Sequence, residues 1–182
     1  MVDQMTLQTI GILLTTLTVS IAAIYYTMTL RYTRRNQDLQ LETRQAQLFM
    51  QIYDRFVTKE FQKDWRTFVL ADEWKSYNDY LARYSGKENL EVSSRIATVF
   101  HYFEGVGVLV EEGLIDSKLV AKLLSASVIQ CWEKYESVIR EQRKLSGLPR
   151  IFDKTEYLYN EMKNLRGDDW SFESVIRAQA PR

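Results

Sequence analysis

From Leu7 to Leu30 the chain carries no charged residue, and Arg31, Arg34 and Arg35 follow at once. An α-helix needs about 20 apolar residues to cross a bilayer core roughly 30 Å thick. Within hydrocarbon every backbone N–H and C=O must find its partner inside the segment, so such a stretch has to be helical. The expectation is a retained signal-anchor: a single transmembrane helix with a soluble domain behind it. A cleaved signal peptide would place positive charge ahead of a short apolar core and small residues after it. Here Asp3 is the only charged side chain ahead, and Ile24, Tyr25, Tyr26 and Leu30 prolong the apolar run beyond Ala22 and Ala23. A buried core helix would show a strongly polar face. This one is only dotted with Thr9, Thr15, Thr16, Thr18, Ser20, Thr27 and Thr29, whose hydroxyls can bond back to their own helix.

Orientation follows from where the arginines lie, because Lys and Arg collect on the cytoplasmic side of a span. Arg31, Arg34 and Arg35 come after the segment and no basic residue comes before it. The short N-terminus is expected outside the cell membrane and residues 31–182 in the cytoplasm. Tyr25, Tyr26 and Tyr32 suit an aromatic belt at the basic interface. Anionic head groups would attract each arginine by roughly 1 kcal/mol. Within the span, Gly11, Thr15, Thr18, Ala22, Tyr25 and Thr29 recur at spacings of four and three. A stripe of mostly small residues lets helices approach closely, which predicts pairing with itself or with a partner span. The alternative is that the threonines are merely tolerated there.

The residues behind the span suffice for one domain. Lys+Arg and Asp+Glu balance at 24 each, which weighs against a nucleic-acid surface. A lone cysteine, Cys131, excludes an internal disulfide and sits beside Trp132 in an apolar helical pattern, as a buried, inert thiol would.

No glycine or proline occurs between Gly11 and Gly86, which argues for long helices. The first is expected to run from Leu7 to about Val57, roughly 75 Å at 1.5 Å per residue, with a possible bend near Asn36. Its end presents Leu48, Phe49, Ile52 and Phe56 on one face. A second helical region spans about Glu60 to Tyr84, divided in two if Asp72 caps a helix start. Its stripes are Phe61, Trp65, Phe68, Val69 and then Trp74, Tyr77, Leu81, Tyr84. Ser85-Gly86-Lys87 reads as a turn. The next helix runs from about Leu90 to Glu112 and stops at Gly113. Asp116 starts another, reaching about Leu145, with Val120, Leu123, Leu124, Val128, Cys131, Trp132, Tyr135 and Ile139 inward. Gly147 and Pro149 end it. Asp153 and Glu156 resemble a capping box for a last helix to about Arg166, ended by Gly167. In the tail beyond, Trp170, Phe172, Val175 and Ile176 have the character of docking residues.

The stretch Phe100 to Val110 is the most unusual. Gly105 and Gly107 lie inside a helical pattern, where each costs about 1 kcal/mol relative to alanine. That cost is commonly offset by close approach of another backbone. One reading is a tight crossing with Glu104 held by an arginine such as Arg66, Arg95 or Arg140. The other is a polar ligand or proton site on Glu104 and His101, which share a face at i, i+3. Gly105-Val106-Gly107 is no phosphate loop, since no strand precedes it and Val110 stands where a third glycine is needed. With one His and one Cys, no metal or cofactor site is expected. A hydrolase triad would rest on His101 alone, without a nucleophile elbow. Asp168 and Asp169 are adjacent but read as a solvated surface.

The basic, Gln-rich stretch Gln37–Gln51, the run Phe103-Glu104-Gly105-Val106-Gly107-Val108-Leu109-Val110 and the later Gly113-Leu114-Ile115-Asp116 form a recognisable layout. The chain resembles a prokaryotic domain-of-unknown-function family, number 4760, over nearly its whole length. The resemblance implies a membrane-anchored helical protein and brings no catalytic residues with it.

The expected architecture is all-α. Residues 1–35 form the anchor and its basic flank, 36–57 a helical stalk, 58–166 a cytosolic bundle of about four or five helices, and 167–182 a tail. The expected function is a non-enzymatic, membrane-tethered interaction module, either an accessory subunit of a membrane protein or a homo-oligomeric scaffold. A membrane-anchored sensor with a small ligand near Glu104 and His101 is the alternative.

Overall fold

The computed structural model describes residues 3–166. Every regular element among them is helical: α1 Gln4–Phe56, α2 Lys59–Arg66, α3 Tyr77–Tyr84, α4 Leu90–Glu111, α5 Ser117–Ser146 and α6 Asp153–Arg166. A π-helical turn, Thr67–Ala71, extends α2, and a 3-10 turn, Lys87–Asn89, leads into α4. Gly167 and the tail residues Asp168, Asp169, Trp170, Phe172, Val175 and Ile176 lie outside the described residues.

Two compact units divide the chain, residues 1–44 and residues 45–182, and α1 runs through the boundary. The helix continues through Asn36 without interruption. In the first unit α1 is exposed along its apolar length, and the hydroxyls of Thr9, Thr15, Thr16, Thr18, Ser20 and Thr27 bond back to their own helix. Thr15 donates to the Gly11 carbonyl at 2.9 Å, Thr18 to Leu14 at 2.8 Å, and Ser20 to Thr16 at 2.8 Å. The unit boundary falls inside the stretch expected as a stalk, because the last turns of α1 already belong to the domain. Phe49 and Phe56 are buried, with Leu48 and Ile52 packed beside them.

In the second unit α6 packs against both α4 and α5, and α2 lies on α4. The core is aromatic. Phe68 stacks on Tyr135 at 4.0 Å, and Phe61 meets Tyr102 at 4.6 Å. Helix ends follow the chemistry of their residues. Asp116 accepts the Lys118 N–H at 2.8 Å and so starts α5. At the end of α4, Gly113 adopts φ 66° and donates to Val110, while Leu114 donates to Leu109 at 2.9 Å. This is the paired closure that a left-handed glycine permits. Gln45 of α1 donates to the Gly113 carbonyl at 2.9 Å, fastening that turn.

Four expectations are corrected. Asp72 caps no helix; Ser76 starts α3 by accepting the Asp79 N–H, and Asp72 is buried. The second aromatic stripe is not a helix face, because Trp74 precedes α3 and no residue of α3 is fully buried. Leu123 keeps 47% of its surface exposed, on the outer edge of α5. Asp153 is the first residue of α6 and forms no capping box with Glu156, whose carboxylate turns to Arg143 at 2.5 Å and Arg140 at 3.4 Å.

Candidate functional site

The start of α6 exposes N–H groups that its own helix cannot pair. Glu104, from the middle of α4, supplies the acceptor. Its Oε1 accepts the Lys154 N–H at 3.2 Å, and its Oε2 accepts both the Thr155 N–H and the Thr155 hydroxyl at 2.7 Å. A carboxylate at a helix N-terminus also meets the positive end of the helix dipole. No arginine holds Glu104. Arg95 donates to Asp72, Arg140 to Glu136 and Glu156, and Arg66 is exposed at the end of α2.

Gly107 makes this approach possible. A β-carbon there would lie 2.2 Å from the Lys154 carbonyl oxygen and 2.7 Å from its carbon. Both are backbone atoms and cannot swing aside. Gly105 is different: a β-carbon there meets nothing within 4 Å. Of the two glycines, one is a contact and the other lies on the exposed face. His101 is also exposed, with its ring centre 5.6 Å from that of Phe152 in an edge-on arrangement. His101 and Glu104 therefore do not converge on a shared site, since the Glu104 oxygens are turned into the α6 terminus.

A second polar cluster was invisible in the sequence. Arg95 Nη2 donates to both Asp72 oxygens at 3.0 and 2.9 Å, and the Tyr135 hydroxyl donates to Asp72 Oδ2 at 3.4 Å. A buried carboxylate requires such partners. Asp72 follows Val69-Leu70-Ala71 directly, and a single acid at the edge of an apolar run was its one sequence signal. Burial pushes the Tyr80 hydroxyl up to about 12, with the Asp72 charge adding to it. Burial likewise raises Tyr102 and Tyr135, and it holds the Cys131 thiol well above its ordinary range. Lys154, hydrogen-bonded to Glu111, is held in its charged form.

Among the described residues no group of three His, Cys, Asp or Glu side chains is placed to hold a metal ion. In the first unit Arg31, Arg34, Arg35, Tyr25 and Tyr26 are all exposed on α1. A β-carbon at Gly11 would meet nothing within 4 Å, so the face of Gly11, Thr15, Thr18 and Ala22 is bare within this chain. One helix, α1, is long and apolar enough to cross a membrane. Its best 18-residue window has mean hydropathy 1.9 and no buried residue. By length and composition such a helix near the N-terminus suits an anchor or a signal sequence alike.

No curated protein and no solved structure matches the chain. One family model does match, over residues 10–162, from within the apolar segment to the last full turn of α6. It is described as a domain of unknown function, DUF4760. With that match covering most of its length, the chain belongs to the DUF4760 family.

Proposed function

We propose that this protein is a single-pass, membrane-tethered interaction module without catalysis of its own, serving as an accessory subunit or homo-oligomeric scaffold. The carrying observation is the bare apolar helix of the first unit. Bare apolar surface costs about 25 cal/mol per Å² in water, so it needs lipid or protein around it. The back-bonded hydroxyls of Thr9, Thr15, Thr16, Thr18, Ser20 and Thr27 lower the polar demand of that surface. The family match runs through this helix, as fits a part of the domain rather than a discarded leader. Arg31, Arg34 and Arg35 give the orientation, with the N-terminus outside and the domain in the cytoplasm. The non-enzymatic reading draws on Glu104, Asp72 and Arg95, whose charged groups are spent on holding neighbouring segments together.

The test uses the full chain in its native membrane. Alkaline carbonate should leave it in the membrane pellet, and protease should digest the domain only in inside-out vesicles. Extraction in mild detergent should then yield a homo-oligomer or a stoichiometric companion. Carbonate release would overturn the anchor, digestion in right-side-out vesicles the orientation, and a lone monomer the module reading.

A further inference from the structure

Beside Phe152, in the second unit, lies a half-open cavity of about 150 Å³. Its walls are the rings of Tyr80, Phe100, Tyr135 and Phe152, with Ile96 and Ile139 between them. Phe100 stacks on Phe152 at 4.6 Å and meets Tyr135 edge-on at 5.4 Å; Tyr80 meets Tyr135 edge-on at 6.0 Å. Protein interiors rarely leave room much larger than a water molecule, because lost contacts cost stability.

We propose that this cavity is a binding site for an uncharged, single-ring aromatic molecule. Size is the first argument: a cavity near 150 Å³ is of the volume that accepts benzene. The walls are the second, since rings pack edge-to-face and offset-stacked against other rings. Charge is the third. No charged side chain lines the cavity, and behind Tyr135 the charges of Asp72 and Arg95 pair with each other. Ser93 and Gln142 at the border can meet one neutral polar substituent.

Two further observations fall on the same place. Phe152 is the only non-glycine residue with positive φ among those described, at 55°. Backbone held in so sparse a region persists where its surroundings impose it, and such positions gather at ligand sites. Glu104 grips the next turn at Lys154 and Thr155. Tyr80, on the opposite wall, comes from α3, a helix with no fully buried residue. Elements with so little buried surface open most readily. One wall is thus clamped and the other loosely held, which gives a ligand a way in. The inference is independent of the membrane-module reading; it gives the domain a ligand whichever partner it meets.

The test is a methyl NMR titration of the full chain in lipid nanodiscs, with the isoleucine methyls labelled and toluene as the probe. The Ile96 and Ile139 signals should shift and saturate, while those of Ile115 and Ile129, buried elsewhere in the core, stay in place. Ile12 and Ile21 on α1 report toluene that merely dissolves in lipid. Benzoate, which is charged, should move none of the core methyls. Ala97→Phe or, one turn earlier on α4, Ser93→Leu should abolish the Ile139 response while the Ile129 signal keeps its folded position. If Ile96 and Ile139 respond no more than Ile115 and Ile129, the proposal fails, whether or not either variant folds. Equal saturation by benzoate overturns the ligand class, and an unchanged response in a folded variant overturns the site.

Discussion

The Glu104 carboxylate accepts the Thr155 backbone N–H at 2.7 Å across 51 positions of sequence. A side chain in the middle of one helix thereby caps the beginning of another. The same oxygen takes the Thr155 hydroxyl, and its twin takes the Lys154 N–H. Glu104→Ala leaves three donors without their acceptor in a partly buried place. Stranding such groups costs about 1–3 kcal/mol. Thermal unfolding should show that loss, whereas His101→Ala, on the exposed side, should stay within about 0.5 kcal/mol of the parent. Equal effects would mean that the α6 terminus is satisfied in some other way.

The two glycines of α4 should respond in opposite directions. Gly107→Ala drives a methyl into the Lys154 carbonyl, and overpacking of this kind costs about 1–3 kcal/mol. Gly105→Ala meets open space in a helix interior and should stabilise by up to about 1 kcal/mol. Melting temperatures of the two variants in the same detergent should fall on either side of the parent. Falling on the same side would contradict the geometry.

Alkali should act through the buried tyrosines. Tyr80 has an ordinary value of 10.0 and is raised to about 12 in the fold. Below pH 10 it is neutral in both states and contributes no pH dependence. Above pH 10 the unfolded chain releases a proton that the fold retains, so stability falls as pH climbs from 10 towards 12. Tyr102 and Tyr135 act in the same sense. A phenolate absorbance titration should show part of the 11 tyrosines ionising late. Ionisation of all of them in one ordinary step would show these rings to be open to solvent.

Cys131 is buried, and burial keeps its thiol protonated. Thiolate is the reactive form, so a maleimide should label the folded protein slowly and one site per chain after denaturation. Rapid labelling of the folded protein would mean that α5 opens at this point.

Most helices were legible because their signals are local. The apolar run before Arg31, Asp116 ahead of α5, and Gly113 and Gly147 behind α4 and α5 act through neighbouring backbone, and sequence displays neighbours. Contacts across the chain were not legible. Glu104 was recognisable as an acid among apolar residues, but a carboxylate is satisfied by an arginine or by backbone N–H groups, and spacing does not distinguish them. Asp72 had the same ambiguity: a capping residue and a buried ion partner look alike until Arg95 is brought next to it. A division of the region near Asp72 was legible, but Thr67–Ala71, an apolar stretch that reads as ordinary helix, gave no sign that it closes a wider π turn. The aromatic cavity left no signature, because its walls come from α3, α4, α5 and the turn before α6.

The notch at Gly107 also has a consequence for biosynthesis. A ribosome makes α1 first and α6 last among the described helices. Until Lys154 and Thr155 emerge, Glu104 has no helix to cap, and the side of α4 and α5 that receives Leu158 and Met162 stays open. The domain is thus sealed late, and chaperones and proteases have access to an incomplete core until its last described helix is made. Under the proposed anchor role of α1, that interval is spent at the membrane surface.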